Sequence, residues 1–320
     1  MTEATTMPRT GPLAALPFWL SLTLVPLAVV AALNGGWTVF ILPLYGFGFM
    51  SLLDVIGGRD ETNPDTGTPD QALFWHRLVT LVWLPVQLTV IYGMIWFVTR
   101  TDHLSAWEIV VIFFGVGLIS GAIGINYSHE LMHQKNRVER WLADLLLASV
   151  LYSHFRTEHL LVHHRYVGTP RDSVTARYNE GFHRFFWRVL TDGPGSAWRA
   201  ECQMLTRAGR AVTHRSNPFW LYGGLQLTAL GLAFLIGGWI GTALFLWQAL
   251  VAVWQLELVD YIEHYGLTRQ HLGDARYEHV QPRHSWNSAH KVSNWLLINL
   301  QRHSDHHYKP DRRFPLLQTY

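Results

Sequence analysis

Nine histidines in this 320-residue chain stand at spacings that suit metal ligation. His129 and His133 lie in "NYSHELMHQ", and His159, His163 and His164 in "EHLLVHHRYV". His264 stands alone in "DYIEHYGL", and His303, His306 and His307 close the set in "LQRHSDHH". An i, i+4 spacing puts two side chains on one helix face, so His129 with His133, and His159 with His163, are expected to point together. Neutral imidazole ligates zinc, copper, iron and nickel. A zinc site takes three or four protein ligands, and nine overfill it. They suffice for two metals with four or five ligands each and open positions left over, an arrangement suited to dioxygen chemistry at a redox metal. Glu130, Glu158, Glu263 and Asp305 accompany the histidines. They are candidates to accept hydrogen bonds from ligand N–H groups, or to ligate directly.

Three other chemistries compete for the same residues. "HELMH" at 129–133 matches the H-E-x-x-H signature of zinc proteases, but a protease leaves six clustered histidines without a role. A haem protein wants isolated histidines inside the bilayer, and the first two and last two apolar stretches described below have none in their interiors. A metal transporter wants polar ligands at mid-membrane. Here they gather at the ends of apolar stretches.

Those stretches must position the histidines. The chain is 49% hydrophobic and only 15% charged, a low charge content for a soluble domain. Six runs of about 20 residues, roughly 13–33, 36–56, 78–98, 108–128, 218–238 and 240–260, are long enough to cross a bilayer core. Pro26 and Pro85 lie within spans, where neighbouring helices satisfy the freed backbone groups. The first run is too long for a signal-peptide core and reads as a retained anchor. Thirteen of the 25 Lys and Arg fall between Lys135 and Arg215, and eight more between Arg269 and Arg313. The positive-inside rule therefore places segments 134–217 and 262–320 in the cytoplasm. The expected fold is a single all-α integral membrane domain over 1–320, with six transmembrane helices and a cytoplasmic, histidine-rich metal-binding cap. The single cysteine, Cys202, excludes an internal disulfide framework and any four-cysteine metal site. No nucleic-acid partner is expected.

The order HxxxH, EHxxxHH, EHYG and LQRHSDHH resembles the membrane alkane monooxygenases, relatives of the xylene monooxygenases. "YEHVQPRHSWNSAHKVSNWLLINLQRHSDHH" (277–307), "DYIEHYGLTRQ" (260–270) and "LLDVIGGRDETNP" (52–64) carry the likeness furthest. It covers most of the chain from about residue 50. The wider relatives are membrane fatty acid desaturases, the alternative reading. Those usually carry HxxHH in the second box, whereas three residues separate His159 from His163 here, and EHYG points to hydroxylases. Three features depart from the pattern. Asp260 stands where many relatives have Asn, and Val162 where many have Gly. The chain stops at Tyr320, where family members commonly run on by several tens of residues.

The resemblance implies a non-haem di-iron oxygenase in the bacterial inner (plasma) membrane, its active site facing the cytoplasm. All nine histidines would ligate two irons, and their division between the metals is not readable from sequence. Dioxygen would be the co-substrate and a terminal methyl group the target, giving a primary alcohol. Electrons would come from rubredoxin, reduced by an NADH-dependent reductase. Segment 134–217 has 13 basic and 7 acidic residues, an excess that could steer an acidic partner. A primary C–H bond yields to no side-chain acid or base, so positioning must select the chain end. An apolar channel would do this, with Trp37, Phe40 and Phe47 of the second span and Leu118 and Ile125 of the fourth as candidate lining.

Overall fold

The computed structural model describes residues 10–274 and 276–320. Helix α1 (Pro12–Asn34) reverses at Gly35 into α2 (Gly36–Gly57), and α3 (Asp70–Val98) and α4 (Ala106–Met132) follow. Between α4 and the next long apolar element lie α5 (Arg137–Ala148), α6 (155–166) and α7 (Phe182–Arg207). Then comes α8 (Pro218–His264). A short hairpin, β1 (His271–Gly273) and β2 (Arg276–Tyr277), leads into α9 (Lys291–Leu296) and α10 (His303–Tyr308). Among the described residues, α1, α2, α3, α4 and α8 are the five helices long and apolar enough to span a membrane. The protein is a mostly helical, multi-pass membrane protein.

Sequence reading separates 218–238 from 240–260, whereas helical structure runs from Pro218 to His264 with one non-helical residue, Gly238 (φ 59, ψ −150). Gly35 adopts nearly the same conformation between α1 and α2 (φ 61, ψ −154). Left-handed φ is open to glycine at little cost. A Cβ built on Gly241 would lie 2.6 Å from the carbonyl oxygen of Ala233. In an unbroken helix, residues eight apart are separated by about 12 Å along the axis. The chain therefore folds back at Gly238, and α8 is two antiparallel arms.

Helix α4 is the central element. Ser105 and Glu108 form a capping box at its start, and Glu108 also accepts from Gly36 N–H, tying the α1–α2 turn to α4. Small residues let α4 approach the second arm of α8 backbone to backbone. A Cβ on Gly117 would meet the Gln248 carbonyl at 2.7 Å, and one on Gly121 the Ala252 carbonyl at 2.8 Å. A buried polar chain ties α3 and the second arm of α8 to the end of α5: Trp83 Nε1 donates to Gln87 Oε1 (2.8 Å), Gln87 Nε2 to Ser149 Oγ (2.7 Å), and Gln248 Nε2 to the Ser149 carbonyl (2.9 Å).

The ends of α4 and α8 carry the histidines. Over that end, Asp54 of α2 accepts the N–H groups of Val292 and Ser293 (2.9 and 2.8 Å) at the start of α9. Arg302 donates to the carbonyls of Thr62 and Leu317 (3.0 and 2.8 Å), and Arg313 pairs with Glu139 (2.7 Å) and Asp70 (2.8 Å). At the opposite end Trp37, Trp96, Trp107 and Trp239 are all exposed, as in an interfacial aromatic belt.

Candidate metal centre

The nine histidines converge from α4, the residue just after it, α6, the end of α8 and α10. They fall into two groups. His129, His133, His159, His164 and His306 form one, and His163, His264, His303 and His307 the other, with ligand atoms within 4.8 Å of one another in each. Backbone geometry sets this division. Residues His159–His163 form a π-type turn, in which His164 N–H donates to the His159 carbonyl. That i→i+5 register brings Nε2 of His159 within 2.9 Å of Nε2 of His164. The expected His159–His163 pairing is therefore corrected: His163 faces the second group. On α10, His303 and His307 share the second group at i, i+4, while His306 joins the first. His129 and His133 stay together, as their spacing suggests.

The distances test whether a metal fits. His159 Nε2 lies 2.8 Å from that of His129 and 2.9 Å from that of His164, which is 3.1 Å from His306 Nε2. In the second group His303 Nε2 is 3.1 Å from His264 and 2.9 Å from His307, whose Nε2 is 3.2 Å from His163. A ring nitrogen offers one in-plane lone pair or one hydrogen, not both. His159, His164, His303 and His307 each face two other Nε2 atoms, which pairwise hydrogen bonding cannot satisfy. A shared cation can. Metal–nitrogen bonds of ~2.1 Å at right angles give nitrogen–nitrogen edges of about 3.0 Å.

Burial supports the same reading. It pushes His133 down to about 3, with His163 adding to the shift. Burial first, then neighbouring imidazoles, holds His159, His164, His303, His306 and His307 well below the ordinary histidine value. These rings are neutral at physiological pH, the state that ligates.

The accompanying carboxylates differ among themselves. Glu263 Oε2 lies 3.3 Å from His303 Nε2. Glu158 is buried with both oxygens unpartnered, and burial raises it well above the usual carboxylate range. Glu130 instead accepts from Gln134 (3.2 Å) and faces Arg313 (3.8 Å). Asp305 accepts from Arg312, the Gln318 N–H (2.9 Å) and Tyr320 (3.0 Å). These two hold the cap rather than imidazoles. Glu130 does not face the histidines as the general base of a zinc protease must. Sequence reasoning missed Asp172, whose Oδ2 accepts from His163 Nδ1 at 3.0 Å. Burial alone would raise Asp172, yet His163 and the hydrogen bonds from Thr175 and Val174 hold it below its ordinary value. The Asp-x-x-Thr turn at 172–175 is its only local signal. The backbone carbonyl of His284 plays a similar part, 3.4 Å from His264 Nδ1.

Two neighbouring cavities lie beside this centre. The inner one, about 80 Å³, is walled by His129, His159, His303, Asp260 and Glu263 among others. The outer one, about 270 Å³, is lined by Phe47, Met50, Leu118 and Ile119. Ala122, Gln255 and Leu297 line both. Of the expected channel residues, Phe47 and Leu118 line the outer cavity. Trp37, Phe40 and Ile125 line neither. Trp37 is 88% exposed beside the α1–α2 turn, Phe40 stacks on Trp107, and Ile125 is fully buried in the core.

A helical membrane domain with converging histidines defines a class, the membrane-bound histidine-box oxidoreductases. The profile of the fatty acid desaturase family matches residues 105–320. The chain is 38% identical over 281 residues to alkane 1-monooxygenase 2 of Pseudomonas aeruginosa, covering 86% of this chain and 74% of that protein. It is 35% identical over 315 residues to alkane 1-monooxygenase of Pseudomonas putida, covering 95% and 77%. A more distant relative, 25% identical over 283 residues, is the hydroxylase component of a xylene/toluene monooxygenase of Pseudomonas putida, covering 88% and 73%. The chain belongs to the fatty acid desaturase family, on its alkane 1-monooxygenase branch.

Proposed function

We propose that this protein is a di-iron monooxygenase that hydroxylates the terminal methyl group of an alkane or similar apolar chain. It crosses the bacterial inner membrane six times, the two arms of α8 counting separately, and its histidines face the cytoplasm. The observation that carries this reading is the pair of imidazole groups, of which His129, His159 and His303 wall a mainly apolar cavity. The five-histidine group would hold one iron and the four-histidine group the other. When bound, the two irons supply the reduction of dioxygen and the oxidation of the C–H bond.

The chain's own residues do the rest. Asp172 and the His284 carbonyl fix the direction and tautomer of His163 and His264, as hydrogen-bonded partners of ligands do. The substrate enters from the bilayer past Phe47, which is half exposed on α2, and follows the outer cavity. Ala122, Gln255 and Leu297 form the joint through which only a chain end passes, so the terminal carbon is presented to the histidines. A separate open cleft of about 620 Å³ reaches His164 and His307 from the polar side, between Arg165 and Arg269. It touches both histidine groups and is basic at its rim, which suits entry of electrons from an acidic rubredoxin.

The test is purified protein assayed for metal and for product. Two irons per chain, and a primary alcohol formed from an n-alkane with dioxygen and reduced rubredoxin, is the expected result. Zinc in active protein, or an alkene as product, overturns it.

A further inference from the structure

Two buried carboxylates near the histidines, Glu257 and Asp260, have no part in the function described so far. Glu257 and Asp260 are 1% and 5% exposed. With Glu263 they repeat every third residue along the second arm of α8, so each lies on the same side of the helix as the next. At ~1.5 Å rise per residue, successive members are about 4.5 Å apart along the axis. Tyr152, 5% exposed, donates its hydroxyl to Glu257 Oε1 at 2.8 Å. The ring of half-buried His154 meets Tyr152 edge-on, with centroids 4.4 Å apart. At the other end Asp260 lines the inner cavity together with His129, His159 and His303. Glu257 Oε2 and Asp260 Oδ2 are buried without a hydrogen-bond partner. Unpartnered buried oxygens of this kind are rare and costly unless they serve a purpose. The charged groups nearest this stretch are Glu158 of α6, Asp172 of the loop after it, Arg188 of α7 and Glu263 on the same helix.

We propose that Tyr152, Glu257 and Asp260 form a proton relay that carries protons from the His154 side of the cap into the inner cavity. The proposal rests on the monooxygenase reading above. That reaction is R–CH3 + O2 + 2 electrons + 2 protons → R–CH2OH + H2O. The O–O bond and one C–H bond break, one oxygen enters the alcohol, and the other leaves as water. The two electrons come from an external one-electron protein donor, and the two protons must reach the inner cavity, which shares no lining residue with the open cleft at His164 and His307. The carboxylate stripe supplies polar groups at successive turns toward that cavity: in the relay Tyr152 reprotonates Glu257, Glu257 reprotonates Asp260, and Asp260 gives its proton to the cavity. Water molecules between successive carboxyls complete the contacts.

The competing role is charge compensation. Divalent ions on neutral imidazoles bring buried positive charge, which carboxylates would balance. The two roles separate experimentally. Full-length Glu257→Gln, Asp260→Asn and Tyr152→Phe would be compared with wild type for iron content, alcohol formation, solvent deuterium isotope effect and hydrogen peroxide release. A relay predicts unchanged iron content, alcohol formation reduced about 100-fold, a larger isotope effect, diversion of electrons to peroxide, and partial rescue in Glu257→Asp. Charge compensation predicts loss of iron in proportion to activity with an unchanged isotope effect, and that result overturns the relay. Infrared difference spectra, reduced minus oxidised, give a readout independent of turnover. The wild type should show a carboxylic-acid carbonyl band that shifts in D2O and is lost in Asp260→Asn. Its absence from the wild type overturns the relay even if no variant folds. Wild-type protein that contains iron but makes no alcohol would instead refute the monooxygenase reading, so the two failures are distinguishable.

Discussion

Asp172 offers the sharpest test of how the histidines are divided. Its side chain accepts three hydrogen bonds: Oδ2 from His163 Nδ1 at 3.0 Å and from Thr175 Oγ1 at 2.6 Å, and Oδ1 from Val174 N–H at 3.1 Å. Asn is isosteric but has one oxygen. With that oxygen toward His163, the amide NH2 faces the Val174 N–H, donor against donor. Flipped, it faces His163 and Thr175 instead. At least one buried donor is left unsatisfied, costing about 1–3 kcal/mol. Loss of such a partner to a ligand weakens metal binding ~10–100-fold, equivalent to about 1.4–2.7 kcal/mol. Asp172 touches His163 alone among the nine, so the penalty falls on the four-histidine group. In Asp172→Asn dialysed against a graded series of chelator concentrations, one of the two irons should leave at a 10–100-fold lower chelator concentration, and the other should leave as in wild type. Parallel loss of both ions, or no change in either, would refute the assignment of His163 to a group separate from His159 and His164.

Other expectations follow from the same contacts. Phe47→Ala should widen the range of accepted chain lengths, whereas Trp37→Ala, away from both cavities, should leave it unchanged; an n-alkane series assayed by product chromatography checks this. Gly124→Ala would place a Cβ 2.0 Å from Gln87 Oε1, an atom clamped by Trp83. Overpacking of this kind costs ~1–3 kcal/mol, so thermal unfolding in detergent should come several degrees lower; an unchanged midpoint would contradict the packing. Burial pushes His154 down to about 4, and burial with His163 pushes His133 down to about 3, from an ordinary 6.5. Below pH 6.5 the unfolded chain binds protons at these rings that the folded chain refuses. Stability of the metal-free protein should therefore be full above pH 6.5 and fall by up to about 1.4 kcal/mol per pH unit for each ring as the pH drops toward 4. A flat unfolding midpoint across that window would count against neutral burial.

The set of nine histidines was readable because residue type and helical spacing are local properties. Its division was not. His163 and His164 are adjacent in sequence yet serve different groups, and only the π-type register of His159–His163 decides which one joins His159. Asp172 was invisible for a similar reason: an Asp in a Pro-Arg-Asp-Ser turn looks like ordinary loop chemistry until tertiary packing brings His163 to it. The apolar runs were legible as membrane elements from hydropathy. The sequence reading divides the last two runs at residue 239; helical structure continues on both sides, and the one non-helical residue is Gly238, where only φ shows the reversal. Channel residues were the least legible. Trp37, Phe40 and Ile125 are as apolar as Phe47 and Leu118, and which way each one faces is set by packing around α4, not by composition.

The three π-type stretches suggest why cavities exist between helices that otherwise pack backbone to backbone. Leu44–Phe49 in α2 contributes Phe47 to the outer cavity, Ser120–Ile125 in α4 contributes Ala122 to the joint and Gly121 to the inner cavity, and His159–His163 contributes His159 to its end. Each is a local i→i+5 widening, a feature that recurs at functional sites. "LYGFGF" and "SGAIGI" carry two glycines each, a composition that tolerates the irregular register. At Gly117, before Ser120–Ile125, and at Gly121 within it, α4 lies against α8 too closely to admit a side chain, so the room beside Ala122 is local to one side of the helix. The path to the histidines thus opens where the α-helical register is interrupted. A sequence change that restored regular α-helix across residues 120–125 would rotate the downstream His129 and His133 by roughly a quarter-turn or more. The same irregularity that lines the cavities beside the centre therefore also aims two of the nine imidazoles.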